Sequence, residues 1–112
     1  MSQVKHEAIW QHDKVLPYIL TTLKEKIEEI TPVEKIFLFG SRSRLPFEKW
    51  KELEGKDWDI IVQTKLKLKN AHVLVDKDYH LDLLVLDEER INNHYSNNLK
   101  MIFPDNQVII TN

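Results

Sequence analysis

The chain predicts a small α/β fold of the α+β type, a mixed β-sheet packed by helices, with residues 1–112 forming a single domain. Three observations lead there. One stretch carries apolar residues at helical spacing. Three short runs are apolar and aromatic enough to be strands covered on both faces. Too little helix separates those runs for a doubly wound parallel sheet. A length of 112 residues suits one core, since division in two would leave each half too small.

Taken in order, residues 13–30 place Val15, Leu16, Ile19, Leu20, Leu23, Ile27 and Ile30 three and four apart, the spacing of one helical face. Asp13 is the expected N-cap, and Thr31 before Pro32 ends the helix because proline disfavours a helical residue ahead of it. Lys24, Glu25, Lys26, Glu28 and Glu29 form the solvated face. Strands are expected at Lys35–Phe39, Asp57–Val62 and Tyr79–Leu86. A short helix over Pro46–Leu53 would stop at Gly55. Ala71–Val75, followed by a turn at Asp76–Asp78, reads as a strand hairpinned onto Tyr79–Leu86. Asp87–Asn93 reads as a helical turn, and Gln107–Thr111 as a last strand after Pro104.

Composition narrows the function classes. Sixteen Lys and Arg against 18 Asp and Glu leave a formal charge of −2, so no global basic field holds nucleic acid or a membrane. Zero cysteines removes disulfide scaffolds, thiolate zinc sites and thiol catalysis. With only two glycines, Gly40 and Gly55, a glycine-rich dinucleotide or P-loop motif is excluded. No run approaches the roughly 18 to 20 apolar residues that span a bilayer, and the N-terminus lacks a signal-peptide core, so the expected location is the cytoplasm.

The chemistry is carried by carboxylates within strands, where aspartate is depleted. Asp57 and Asp59 are two apart, so both emerge on one face of an extended chain while Trp58 and Ile60 point to the other. Such a pair suits a hard divalent cation with oxygen ligands and substrate phosphates, although solvated aspartates on an edge strand account for it equally well. Asp82 interrupts a later strand, sharing a face with His80 and Leu84. If the two strands are neighbours, three carboxylates converge, enough for two metal ions about 3.5 to 4 Å apart. The plainer alternative pairs Asp82 with a lysine at a sheet edge. Gly40 and Ser41 follow the first strand, where a glycine lets the backbone approach a ligand and a serine offers hydroxyl and amide to phosphate oxygens. Arg42 and Arg44 stand beside them as permanent cations.

The runs LFGSRSR (Leu38–Arg44), DWDIIV (Asp57–Val62) and LDLLVL (Leu81–Leu86) resemble the three motifs of the polymerase-beta-like nucleotidyltransferase superfamily, in particular its minimal, antitoxin-type branch. The resemblance spans about residues 33–86. It implies that Gly40 and Ser41, with Arg42, Arg44 and Lys56 nearby, bind the nucleotide phosphates. It further implies that Asp57 and Asp59 hold two magnesium ions, and that Asp82 completes the site and helps activate the attacking hydroxyl. The implied activity is transfer of a nucleoside monophosphate from a triphosphate, ATP first among them, to a hydroxyl, with release of pyrophosphate. Leu45 and Pro46 stand where the family often has a second glycine. Lys56 replaces a common serine and either contacts a triphosphate or lowers the carboxylate pKa values. The loop over 42–56 is longer than in the minimal family.

The same resemblance implies a second reading, a binding module that is the antitoxin half of a pair with a small helical HEPN-type protein, which it binds with or without adding AMP. A short chain that borrows specificity from a partner fits this reading. A metal-dependent nuclease using the same aspartates is weaker, since no Glu-x-Lys follows the aspartate strand. Nucleic acid as acceptor is not indicated by charge. Among the histidines, only His80 is expected near the carboxylates. Trp10, Trp50 and Trp58 read as packing aromatics, because no basic strip interleaves them. Lys65, Lys67 and Lys69, alternating with Leu66 and Leu68, read as an edge strand or solvated loop.

Overall fold

The amphipathic run folds as one continuous helix, α1, in the computed structural model, which describes residues 12–44, 49, 58–79, 81–95 and 99–105. The helix is α-helical over His12–Tyr18, π-helical over Ile19–Leu23 and α-helical again over Lys24–Glu28. Its backbone is already helical at His12, so Asp13 lies within the helix and is not its N-cap. Pro17 sits inside, where its ring removes a donor and crowds the preceding turn. The wider π turn follows directly, with the Lys24 N–H donating to the Ile19 carbonyl five residues back. Ile19, Leu23 and Ile27 are each four apart, a spacing that drifts around a 3.6-residue turn; the wider turn keeps them in line, and all three are fully buried. Ile30, counted with the apolar face, is 53% exposed because it lies beyond the last helical residue.

Among the described residues the sheet holds four strands in the order β3-β2-β1-β4: β1 Lys35–Phe39, β2 Trp58–Gln63, β3 Leu81–Leu86 and β4 Lys100–Phe103. β1 is antiparallel to both β2 and β4, while β2 and β3 run parallel, so the sheet is mixed. Three helices accompany it among the described residues: α1, the single turn α2 (Ser41–Arg44) and α3 (Glu88–His94), the last capped by Asp87, whose carboxylate accepts from the Arg90 N–H at 2.9 Å. No helix among the described residues is long and apolar enough to cross a membrane.

Strand alternation divides the core. Toward α1, Ile36, Leu38, Trp58, Ile60, Val62, Leu81, Leu83, Val85 and Ile102 join the helix in one cluster of 17 buried residues. Among the described residues the opposite face carries a smaller apolar cluster of Ile61, Leu86 and Ile91, with Phe37, Phe39, Leu84, Tyr95 and Leu99 half-buried against them. At roughly 1.5–3 kcal/mol per large apolar side chain, the α1 face supplies most of the stabilisation. The opposite face is left to carry polar groups near the start of β2.

One expected strand differs. Ala71–Val75 is not a strand: residues Ala71–Leu74 form a 3-10 turn introduced by Asn70 in the left-handed region (φ 57°). The free edge of β3 is already met by Leu68, which bridges to Val85 with its N–H 3.1 Å from the Val85 carbonyl. The lysine run is accordingly a loop with one bridge, and Lys65, Lys67 and Lys69 are exposed. The strand expected at Gln107–Thr111 and the helix over Pro46–Leu53 with its Gly55 stop lie outside the described residues. β4 arises at Lys100–Phe103, where no strand was expected.

Candidate functional site

Strand register brings two of the three candidate carboxylates together. Asp59 on β2 is the partner of Asp82 on the parallel β3, and Phe39, the last residue of β1, is the partner of Asp59 on the other side. Register partners point to the same face, so Phe39, Asp59 and Asp82 form a row across the sheet, on the face away from α1. Adjacent strands are about 4.8 Å apart, which puts both carboxylates within reach of one small cation. Asp59 is half-buried and Asp82 exposed. Trp58 and Ile60 point into the α1 core, as the alternation requires.

Gly40 closes the row against β1. Its φ is +75°, and a Cβ built there would stand 2.5 Å from the Asp59 Oδ2 and 3.3 Å from its Cγ. Glycine is therefore required twice, for the backbone angle and for the space the carboxylate occupies. The turn leads straight into α2, where the Ser43 and Arg44 N–H groups and the Ser43 hydroxyl all donate to the Gly40 carbonyl at 3.1, 3.3 and 2.9 Å. The Ser41 backbone opens this turn.

The two arginines part company. Arg44 is exposed. Arg42 is only 3% exposed, and its guanidinium carbon lies 4.3 Å from the centroid of the Trp58 ring. A desolvated cation–π contact of this kind is worth about 2 kcal/mol. Asp57, Lys56 and His80, together with the Ser41 side chain, lie outside the described residues. Among the described residues no group of three or more His, Cys, Asp or Glu side chains is brought together.

The approach to β3 is tied to α1 by polar contacts. Tyr18 and Tyr79 stack with centroids 3.8 Å apart, and the Tyr18 hydroxyl accepts from the Asp76 N–H at 2.8 Å. Lys26 Nζ donates to an Asp76 carboxylate oxygen at 2.6 Å and to the Leu74 carbonyl at 3.2 Å. The expected turn is present, with the Tyr79 N–H donating to the Asp76 carbonyl at 3.0 Å. Burial raises the Tyr18 pKa, against the lowering effect of its hydrogen bond from the Asp76 backbone. The hydrogen bond to Asp76 raises that of Lys26.

Two hollows among the described residues lie elsewhere. One of about 360 Å³, lined by Glu34, Thr64, Lys65, Asp87, Glu88 and Glu89, sits where β2 and β3 end, the opposite end of the strands from Asp59 and Asp82.

Sequence reasoning passed over Phe39 as a neighbour of Asp59 and Arg42 as a partner of Trp58. The first follows only from the β1–β2 register. The second had one signal: an aromatic residue between the paired aspartates, pointing into the core on the side from which the arginine turn arrives. Comparison of the chain with protein-family models, with curated proteins and with solved structures finds no match in any of the three.

Proposed function

We propose that the chain is a metal-dependent nucleotidyltransferase, transferring a nucleoside monophosphate from a nucleoside triphosphate, ATP first among them, to a hydroxyl acceptor. The observation that carries this reading is the register of Asp59 with Asp82 beside a glycine turn whose missing Cβ makes room for the Asp59 carboxylate. Two adjacent carboxylates repel one another by roughly 0.2–1 kcal/mol on a sheet surface, and a hard divalent cation turns that repulsion into ligation. The donor set therefore fits magnesium, which Asp59 and Asp82 would hold with Asp57. When bound, magnesium supplies polarisation of the α-phosphate and charge stabilisation of the leaving pyrophosphate.

The chain's own groups do the rest. Backbone amides of the Gly40–Ser41 turn meet phosphate oxygens, and the exposed Arg44 adds a permanent charge at the triphosphate. The acceptor oxygen forms its bond to the α-phosphorus as the bond to the bridging oxygen breaks. Asp82, open to solvent, takes the acceptor's proton. The test is incubation with each labelled nucleoside triphosphate, magnesium and cell extract. Labelled product that disappears with Asp57→Asn and Asp59→Asn supports the reading; equal labelling by those variants refutes it.

The exposure of Asp82 on an edge strand favours a protein acceptor as a second reading. A small helical HEPN-type partner would then be both binding partner and substrate. Intact-mass measurement of such a partner after incubation with ATP distinguishes binding alone from modification.

A further inference from the structure

Arg42 belongs by sequence to the segment assigned to phosphate binding, yet its surroundings differ from those of Arg44. It follows Ser41 in a helix of one turn and is 97% removed from solvent, with its guanidinium over the Trp58 indole at 4.3 Å. Trp58 is fully buried in the α1 core and is the residue immediately before Asp59. Arg42 thus grips β2 from the core side at the point where, on the other side, Gly40 gives way to the Asp59 carboxylate.

We propose that Arg42 and Trp58 are a positioning pair, which fixes the Gly40–Ser41 turn against the strand bearing Asp59, and that Arg42 is not a ligand of the triphosphate. The proposal rests on the nucleotidyltransferase reading for the meaning of what is positioned. Three features carry it. A planar guanidinium lying over an indole spreads its charge across the ring, which the compact ammonium of lysine does not reproduce. A cation removed from water to this extent would have to break that stack to reach a phosphate in solvent. Because side chains alternate along β2, locking the Trp58 side chain locks the peptide from which Asp59 departs toward the other face.

The experiment joins a spectroscopic signature to a split between binding and rate. In the full chain the Arg42 side-chain protons resonate upfield of their random-coil positions, under the Trp58 ring current, and return in Trp58→Leu. Arg42→Lys leaves the dissociation constant for magnesium–ATP within about threefold by calorimetry but slows transfer at least about tenfold, since a misplaced carboxylate harms the reaction more than the binding. Trp58→Phe, which keeps a π face, retains more of the rate than Trp58→Leu. Unshifted Arg42 protons in the wild-type chain overturn the proposal. So does Arg42→Lys weakening magnesium–ATP binding about tenfold while the Trp58 indole N–H resonance stays in place. A wild-type chain that shows the upfield shift but binds no nucleoside triphosphate strikes down the nucleotidyltransferase reading, and the clamp's catalytic meaning with it, while leaving the contact itself intact.

Discussion

Replacing Gly40 by alanine separates two demands that the same glycine meets. At φ +75° an alanine is in the left-handed region, at a cost of about 1–2 kcal/mol, of which about 0.4–1 is offset by stiffening the unfolded chain. The net loss of about 1 kcal/mol lowers the melting temperature by roughly 3–8 °C. The new methyl would also sit 2.5 Å from the Asp59 Oδ2, so the carboxylate has to withdraw by roughly 1 Å to reach an ordinary contact. Asp59 has a short side chain, and a retreat of its carboxylate is a retreat of the site. Displacement on that scale lowers the transfer rate about 100-fold. Gly40→Asn sharpens the test, since asparagine tolerates the left-handed region but carries the same Cβ. It should recover part of the stability and none of the rate. Thermal melts and nucleotide-transfer rates measured side by side on both variants decide the matter. Gly40→Asn with wild-type activity would refute the steric reasoning.

Three further outcomes follow from other contacts. Asp82→Asn, by relieving repulsion with Asp59, should raise stability by roughly 0.2–1 kcal/mol without divalent cation while abolishing transfer; a lowered melting temperature would contradict the pairing. Tyr18→Phe keeps the stack on Tyr79 but removes the acceptor for the Asp76 N–H, and should cost about 0.5–1.5 kcal/mol in a urea titration. Tyr18 and Lys26 both hold their protons more tightly in the folded chain than at their ordinary values of 10.0 and 10.5, so stability is intact below about pH 10 and falls as the pH rises through the folded values. Lys26→Met should flatten that alkaline decline, which circular dichroism along a pH series would follow.

The sequence made β1 legible to the residue, because a five-residue apolar run ends at a glycine, and it made the buried face of α1 legible through its spacing. Its failures have local causes. Ala71–Val75 is apolar enough for a strand, but the β3 edge it would have joined is met by Leu68, a contact invisible to local pattern. β4 has four residues and a single buried one, Ile102, too brief a signal for a strand by local pattern. For the site, alternation alone correctly put Trp58 and Asp59 on opposite faces. That Asp59 stands beside Asp82 needed the strand order, which no periodicity contains. The direction of Arg42 was hidden because a single helical turn has too few residues to reveal a face.

The parallel pairing of β2 and β3 also governs where this chain can change length. Residues 64–79 join the two strands through the Leu68 bridge to Val85 and a 3-10 turn, and doubling such a connection costs about 0.6 kcal/mol in closure entropy. Added residues there, away from the Leu68 bridge and the Asp76 tie, leave Asp59 facing Asp82. A single residue inserted between Leu81 and Asp82 would instead turn that carboxylate toward α1 and a leucine toward solvent. The connection is thus the place where a foreign segment can be grafted, and the first two residues of β3 are the gauge against which any such graft must be aligned.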